Sequence, residues 1–138
     1  MRIVPALLLS LCIGANAWAT DFAAGAKAYD GGRYAEAFAA WHALARAGEV
    51  RAQIAVAGMY RFGEGRPVDL QAAARWYRLA AEAGDPIAQL NYAEMLERGM
   101  GVGRDRDAAL RWYRRAADQG NAWAAAQRDR LAASGKPD

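Results

Sequence analysis

Apolar and small residues recur at intervals of three and four along most of this chain, with polar residues between them. Tyr34, Ala37, Phe38, Trp41, Leu44 and Ala45 keep that spacing and predict an amphipathic helix over 34–47. The same reading predicts helices over 50–62, 70–83, 86–98, 106–119 and 121–133, with a shorter one over 21–30. Gly31-Gly32, Gly48, Gly84 and Gly120 stop helices, because glycine takes the left-handed backbone that ends them. Asp69, Asp85, Asp105 and Asn121 stand at helix starts, where a side-chain oxygen can accept orphan amide hydrogens. Pro86 follows Asp85 at the first helical position, which tolerates proline.

The pattern is periodic at a larger scale. RWYRLAAEAG, residues 75–84, returns as RWYRRAADQG, residues 111–120, 36 residues later. The offset holds for Gly63 and Gly99, Gly65 and Gly101, Asp69 and Asp105, and Ala73 and Ala109. A fixed period of this length marks stacked helical hairpins. The repeats run over 49–84 and 85–120. Residues 21–48 form an atypical first unit, since Lys27 falls where the Gly-x-Gly loop would begin. In 121–133, Arg128 and Asp129 replace Tyr92 and Ala93, as in a solvated capping helix. The tail, 134–138, is polar.

Both copies, Ala52 to Gly84 and Ala88 to Gly120, read A-x-x-x-(V/Y)-A-x-M-(Y/L)-x-x-G-x-G-x-x-x-D-x-x-x-A-x-x-W-Y-x-x-A-A-x-x-G. This framework resembles the SLR (Sel-one-like repeat) family, a relative of the tetratricopeptide repeats. The resemblance implies an all-α fold, an α/α solenoid of antiparallel helix pairs, used for protein interaction and scaffolding. It also predicts a core of Trp41, Tyr60, Trp76, Tyr77, Tyr92, Trp112 and Tyr113, with alanines letting helix axes approach.

The N-terminus changes where such a protein would work. Arg2, the apolar run 3–13 and Ala17-Trp18-Ala19 read as a cleaved signal peptide, 1–19. The run is about half of the roughly 20 residues that a membrane-spanning helix needs. A periplasmic or secreted location is the expectation, with no integral membrane segment in the mature chain. Cys12, the only cysteine, lies in the leader behind the large Leu11, which does not fit a lipidation signal. The remaining chain has no thiol for a disulfide. The charges, 18 basic against 15 acidic for a formal +3, are interspersed, whereas a nucleic-acid footprint is segregated.

Candidate chemistry is sparse. Beyond the leader the only hydroxyl side chains outside tyrosine are Thr20 and Ser134, both terminal, and the only histidine is His42. Nucleophilic catalysis needs a nucleophile beside a base, and a lone histidine is a poor metal site; His42 is read as a surface residue. Gly99-Met100-Gly101-Val102-Gly103 leads into no Gly-Lys-Ser/Thr and follows no strand, so it is not a phosphate loop. No cofactor motif stands out. Glu94 and Glu97, with Glu64, are the carboxylates a glycosidase-like reading would use, yet Glu94 and Arg98 have the i,i+4 order of a surface ion pair. The expectation is a non-catalytic interaction module that binds a protein or peptide of the cell envelope. Its groove would use the non-framework positions of the first helices, namely Met59, Phe62, Asn91, Glu94, Met95 and Arg98, with Ala55 and Gly58. An envelope enzyme or binder for peptidoglycan or β-lactam-like ligands is the alternative.

Overall fold

The computed structural model describes residues 15–135. The apolar leader run, Cys12 and the end of the polar tail lie outside the described residues. Within them the backbone forms seven helices, α1 (Ala15–Asp30), α2 (Tyr34–Arg46), α3 (Val50–Phe62), α4 (Leu70–Glu82), α5 (Pro86–Arg98), α6 (Arg106–Asp118) and α7 (Ala122–Ala133). Each packs on its neighbours in sequence, giving the all-α solenoid expected from the period. α1 starts earlier than the 21–30 helix read from the sequence. The alanine-rich segment before Asp21 carries no breaker to stop it.

The helix boundaries follow from local chemistry. Asp69 and Asp105 each accept a hydrogen bond from the backbone N–H three residues on, at 2.9 Å. Asp85 accepts from both Ile87 and Ala88, at 2.8 and 3.0 Å, and Asn121 accepts from Ala124 at 2.9 Å. Glu49 caps α3 in the same way through Ala52.

Loop glycines set the spacing between hairpins. Gly65 and Gly101 have φ of +73° and +67°, where side chains strain the backbone. The space is closed as well. A Cβ on Gly65 would lie 2.7 Å from the carbonyl carbon of Tyr34, and one on Gly101 would lie 2.1 Å from the carbonyl oxygen of Leu70. Tyr34 and Leu70 begin α2 and α4, so each loop rests on the second helix of the preceding unit.

The core is made of small residues with a few rings. Ala37, Ala52, Ala57, Ala73, Ala80, Ala88, Ala93, Ala109, Ala116 and Ala124 are fully buried, and helices meeting on alanine approach closely enough for dense packing. The aromatic framework divides in two. Trp41, Tyr77, Tyr92 and Tyr113 are buried, whereas Tyr60, Trp76 and Trp112 pack only partly into the core. That corrects the expectation of a uniformly buried set. Adjacent residues point about 100° apart on a helix, so one ring of each Trp-Tyr pair enters the hairpin and the other reaches its edge. In the first unit Gly25 replaces the longer side chains Arg61 and Glu97 that occupy its position later. A Cβ there would lie 2.4 Å from Nε1 of Trp41, so glycine in mid-helix makes room for the larger indole.

A polar pair bridges successive units. Gln53 donates to the carbonyl of Ala45 at 3.3 Å, and Gln89 donates to that of Ala81 at 3.2 Å. Gln119 completes the second site, donating to the side-chain oxygen of Gln89 and the carbonyl of Gly84, both at 2.9 Å. Its counterpart in the preceding unit is Ala83, and the buried oxygen of Gln53 has no hydrogen-bond partner among the described residues. An unpaired buried acceptor is destabilising. Ala83→Gln is therefore expected to stabilise the protein by about 1 kcal/mol, read as a higher urea midpoint with an unchanged slope. Gly101→Ala is expected to destabilise by about 1–3 kcal/mol, as an overpacked contact does. Gly103→Ala, with no neighbour within 4 Å of its added carbon, should leave the melting curve in place.

Candidate functional site

The first helices of successive hairpins, α3, α5 and α7, are linked by side chains, and a cleft of about 320 Å³ opens between α5 and α7. Leu90, Asn91, Glu94, Glu97 and Arg98 of α5 form one wall, and Trp123, Gln127 and Arg130 of α7 form the other. Tyr113 of α6 closes the floor. Trp123 stands out of the cleft with 66% of its surface exposed.

The polar groups of the wall are joined across hairpins. Arg61 of α3 donates to Glu94 at 2.8 Å and to Asn91 at 3.2 Å. Glu97 accepts from Arg130 of α7 at 2.6 and 2.8 Å, and from the hydroxyl of Tyr113 at 2.9 Å. Both ion pairs span 33 residues and occupy equivalent repeat positions with their signs reversed. α5 thus carries the acidic partner of both joints. Burial disfavours the charged form of Glu97, but the hydrogen bonds from Arg130 and Tyr113 outweigh it and hold the carboxyl below its ordinary pKa. Burial, followed by the bond to Glu97, raises the pKa of Tyr113 far enough to keep its phenol a donor.

The expected groove residues are only partly brought together. Asn91, Glu94 and Arg98 line the cleft, and Arg98 approaches Glu94 at 3.3 Å while its side chain stays 64% exposed. Phe62 is exposed on the preceding hairpin, with the guanidinium of Arg61 5.3 Å from its ring centre. Met59 and Met95 do not belong to this surface. They are 1% and 0% exposed, because a first helix inside the stack packs against the unit before it as well as its own partner, which widens its apolar face. Ala55 and Gly58 are half-buried. Trp123, Gln127, Arg130 and Arg61 were missing from the expected set. Their signal was the sign reversal at positions 36 apart, and an apolar residue, Ile87 then Trp123, recurring outside the framework.

The carboxylates considered for hydrolysis are each engaged. Glu94 and Glu97 are clasped by arginines, and Glu64 accepts from the Tyr29 hydroxyl at 2.7 Å, a contact that leads the causes pushing the Tyr29 pKa up to about 12. No group of three His, Cys, Asp or Glu side chains among the described residues is placed to hold a metal ion. No described helix is long and apolar enough to cross a membrane.

The model of the Sel1 repeat matches residues 50–85 and 86–121, more than half of the chain. The protein belongs to the Sel1 repeat family. A Sel1 repeat protein from Oxalobacter formigenes has a similar solved structure, with 33% identity and a TM-score of 0.75 over 81% of this chain and 87% of that one. A protective antigen present in uropathogenic Escherichia coli strains, displaying an SLR fold, matches at the same identity and TM-score over 79% of this chain. This chain spans 24% of the antigen's length. No curated relative matches in sequence. This chain has the Sel1 repeat fold, which typically serves protein–protein interaction, and the α5/α7 cleft opens between two of its first helices.

Because the folded Glu97 pKa lies below its unfolded value, its stabilising contribution is complete above the unfolded pKa of about 4.3. It is lost as pH falls through the folded value. Thermal melts between pH 7 and pH 3 should therefore show a smaller acid-side loss for Glu97→Gln than for wild type.

Proposed function

We propose that this protein is an exported, non-catalytic interaction module that holds an extended peptide segment of a cell-envelope protein in the α5/α7 cleft. The observation that carries this reading is the combination of one exposed indole with a polar wall. Trp123 offers a large, stiff apolar surface of the kind that dominates binding energy, while Asn91, Gln127 and the partly free Arg98 offer hydrogen-bonding groups for a backbone.

The cleft's length supports an extended ligand. Trp123 lies near the start of α7, and Arg98 lies at the end of α5. On the shared repeat frame they are offset by about 11 helical residues, or roughly 16 Å at 1.5 Å per residue. An extended chain covers that with about five residues at 3.3 Å each. Membership of a family built for protein interaction supports the general role, and the leader-like N-terminus supports the envelope location.

Crosslinked capture from an envelope fraction tests this. Trp123→Ala is expected to weaken retention of a specific partner at least tenfold, as the loss of an aromatic anchor does. Arg98→Ala should weaken it less, and both variants should melt as wild type. Unchanged retention in both would overturn the cleft as the binding face. Cytoplasmic retention of the full chain in cell fractionation would overturn the location.

A further inference from the structure

A second feature lies away from the cleft, where the atypical first unit meets the first full repeat. Phe38 of α2 and Tyr60 of α3 meet edge to face, with ring centres 5.3 Å apart. Arg66, from the loop after α3, lays its guanidinium over both rings, 4.2 Å from the centre of Phe38 and 4.6 Å from that of Tyr60. His42 stacks on Phe38 at 5.1 Å and meets the edge of Trp76 of α4 at 5.7 Å. Arg46 follows one helical turn after His42. The sequence reading of His42 as a surface residue is corrected here, since it is half-buried in this aromatic joint.

The joint collects positive charge without answering it. Among the described residues neither Arg46 nor Arg66 is in an ion pair. The nearest acidic residues of the loop are used elsewhere, Glu64 by the Tyr29 hydroxyl and Asp69 by the N–H of Ala72. Two rings hold the Arg66 guanidinium in place, and its N–H donors have no protein acceptor among the described residues, so much of the ordering a ligand would otherwise impose is already done. Burial lowers the His42 pKa, and Arg46 and Arg66 lower it further.

We propose that His42, Arg46 and Arg66 form a binding site for a phosphate-type dianion on the aromatic floor of Phe38, Tyr60 and Trp76. The planar guanidinium of Arg66 donates to two oxygens at once. Arg46 neutralises the remaining charge, and the imidazole joins as a donor once protonated. Occupation offsets the repulsion from Arg46 and Arg66 that adds to burial in disfavouring the imidazolium, so the dianion and the proton favour each other by the same factor. The site differs from the peptide cleft in position and in the chemical class of its ligand.

His42 is the only histidine of the chain, so its imidazole proton resonance titrates alone in the full-length protein. The probe is inorganic phosphate against chloride and acetate at matched ionic strength. Saturating phosphate is expected to raise the His42 pKa by about one unit, a tenfold coupling. Affinity expressed per phosphate dianion, with the protonation of phosphate itself taken into account, should rise tenfold between pH 8 and pH 5 in turn. Arg66→Gln and Arg46→Gln should each remove most of that shift while the melting curve shows a folded protein. A pKa that phosphate leaves in place would overturn the site. So would a shift that chloride or acetate reproduces, or one that survives both substitutions. Vesicles bearing phosphatidic acid form the second arm. A shift with free phosphate and none with vesicles assigns a soluble ligand, and a shift with both assigns an accessible phosphomonoester headgroup.

Discussion

The seating of a loop glycine on the backbone of the preceding hairpin is the contact on which the array depends. Gly65 on Tyr34 and Gly101 on Leu70 repeat one geometry 36 residues apart. At each, a left-handed backbone and a missing side chain are needed together. The fully buried alanines extend the same constraint along the helices, since close axes bring many atoms into weak contacts that are large only in sum. A stack held this way has little tolerance for added volume, and the larger indole of Trp41 is admitted because its neighbour shrinks to Gly25.

Polar contacts then give each joint its own character. The glutamine bridges tie the start of one first helix to the end of the preceding second helix, complete at Gln89 and one donor short at Gln53. The reversed pairs Arg61 with Glu94 and Glu97 with Arg130 make the order of units matter. If α7 stacked directly on α3, Arg61 and Arg130 would be brought together. Of these, Glu94, Glu97 and Arg130 also wall the cleft, so the electrostatics that order the stack help determine what its surface presents.

The fold was legible because its determinants are local and periodic. Aspartate and asparagine caps, left-handed glycines and the Trp-Tyr spacing each act within a few residues, and repetition removes the ambiguity of any one of them. The site was legible only in part. Asn91, Glu94 and Arg98 were found because a helix framework leaves them over. Met59 and Met95 were misplaced, because counting one packed face per helix misses the second that stacking adds.

By itself, the sequence determined the helices, their order, the repeat and its family, since these follow from short-range chemistry read against a period. Tertiary structure alone decided which ring of each Trp-Tyr pair is buried, that Trp123 and Arg98 bound one cleft, and that Arg66 lies on the rings of Phe38 and Tyr60 beside His42. Those facts depend on distances between residues far apart in the chain, and such distances are set by how closely the hairpins stack.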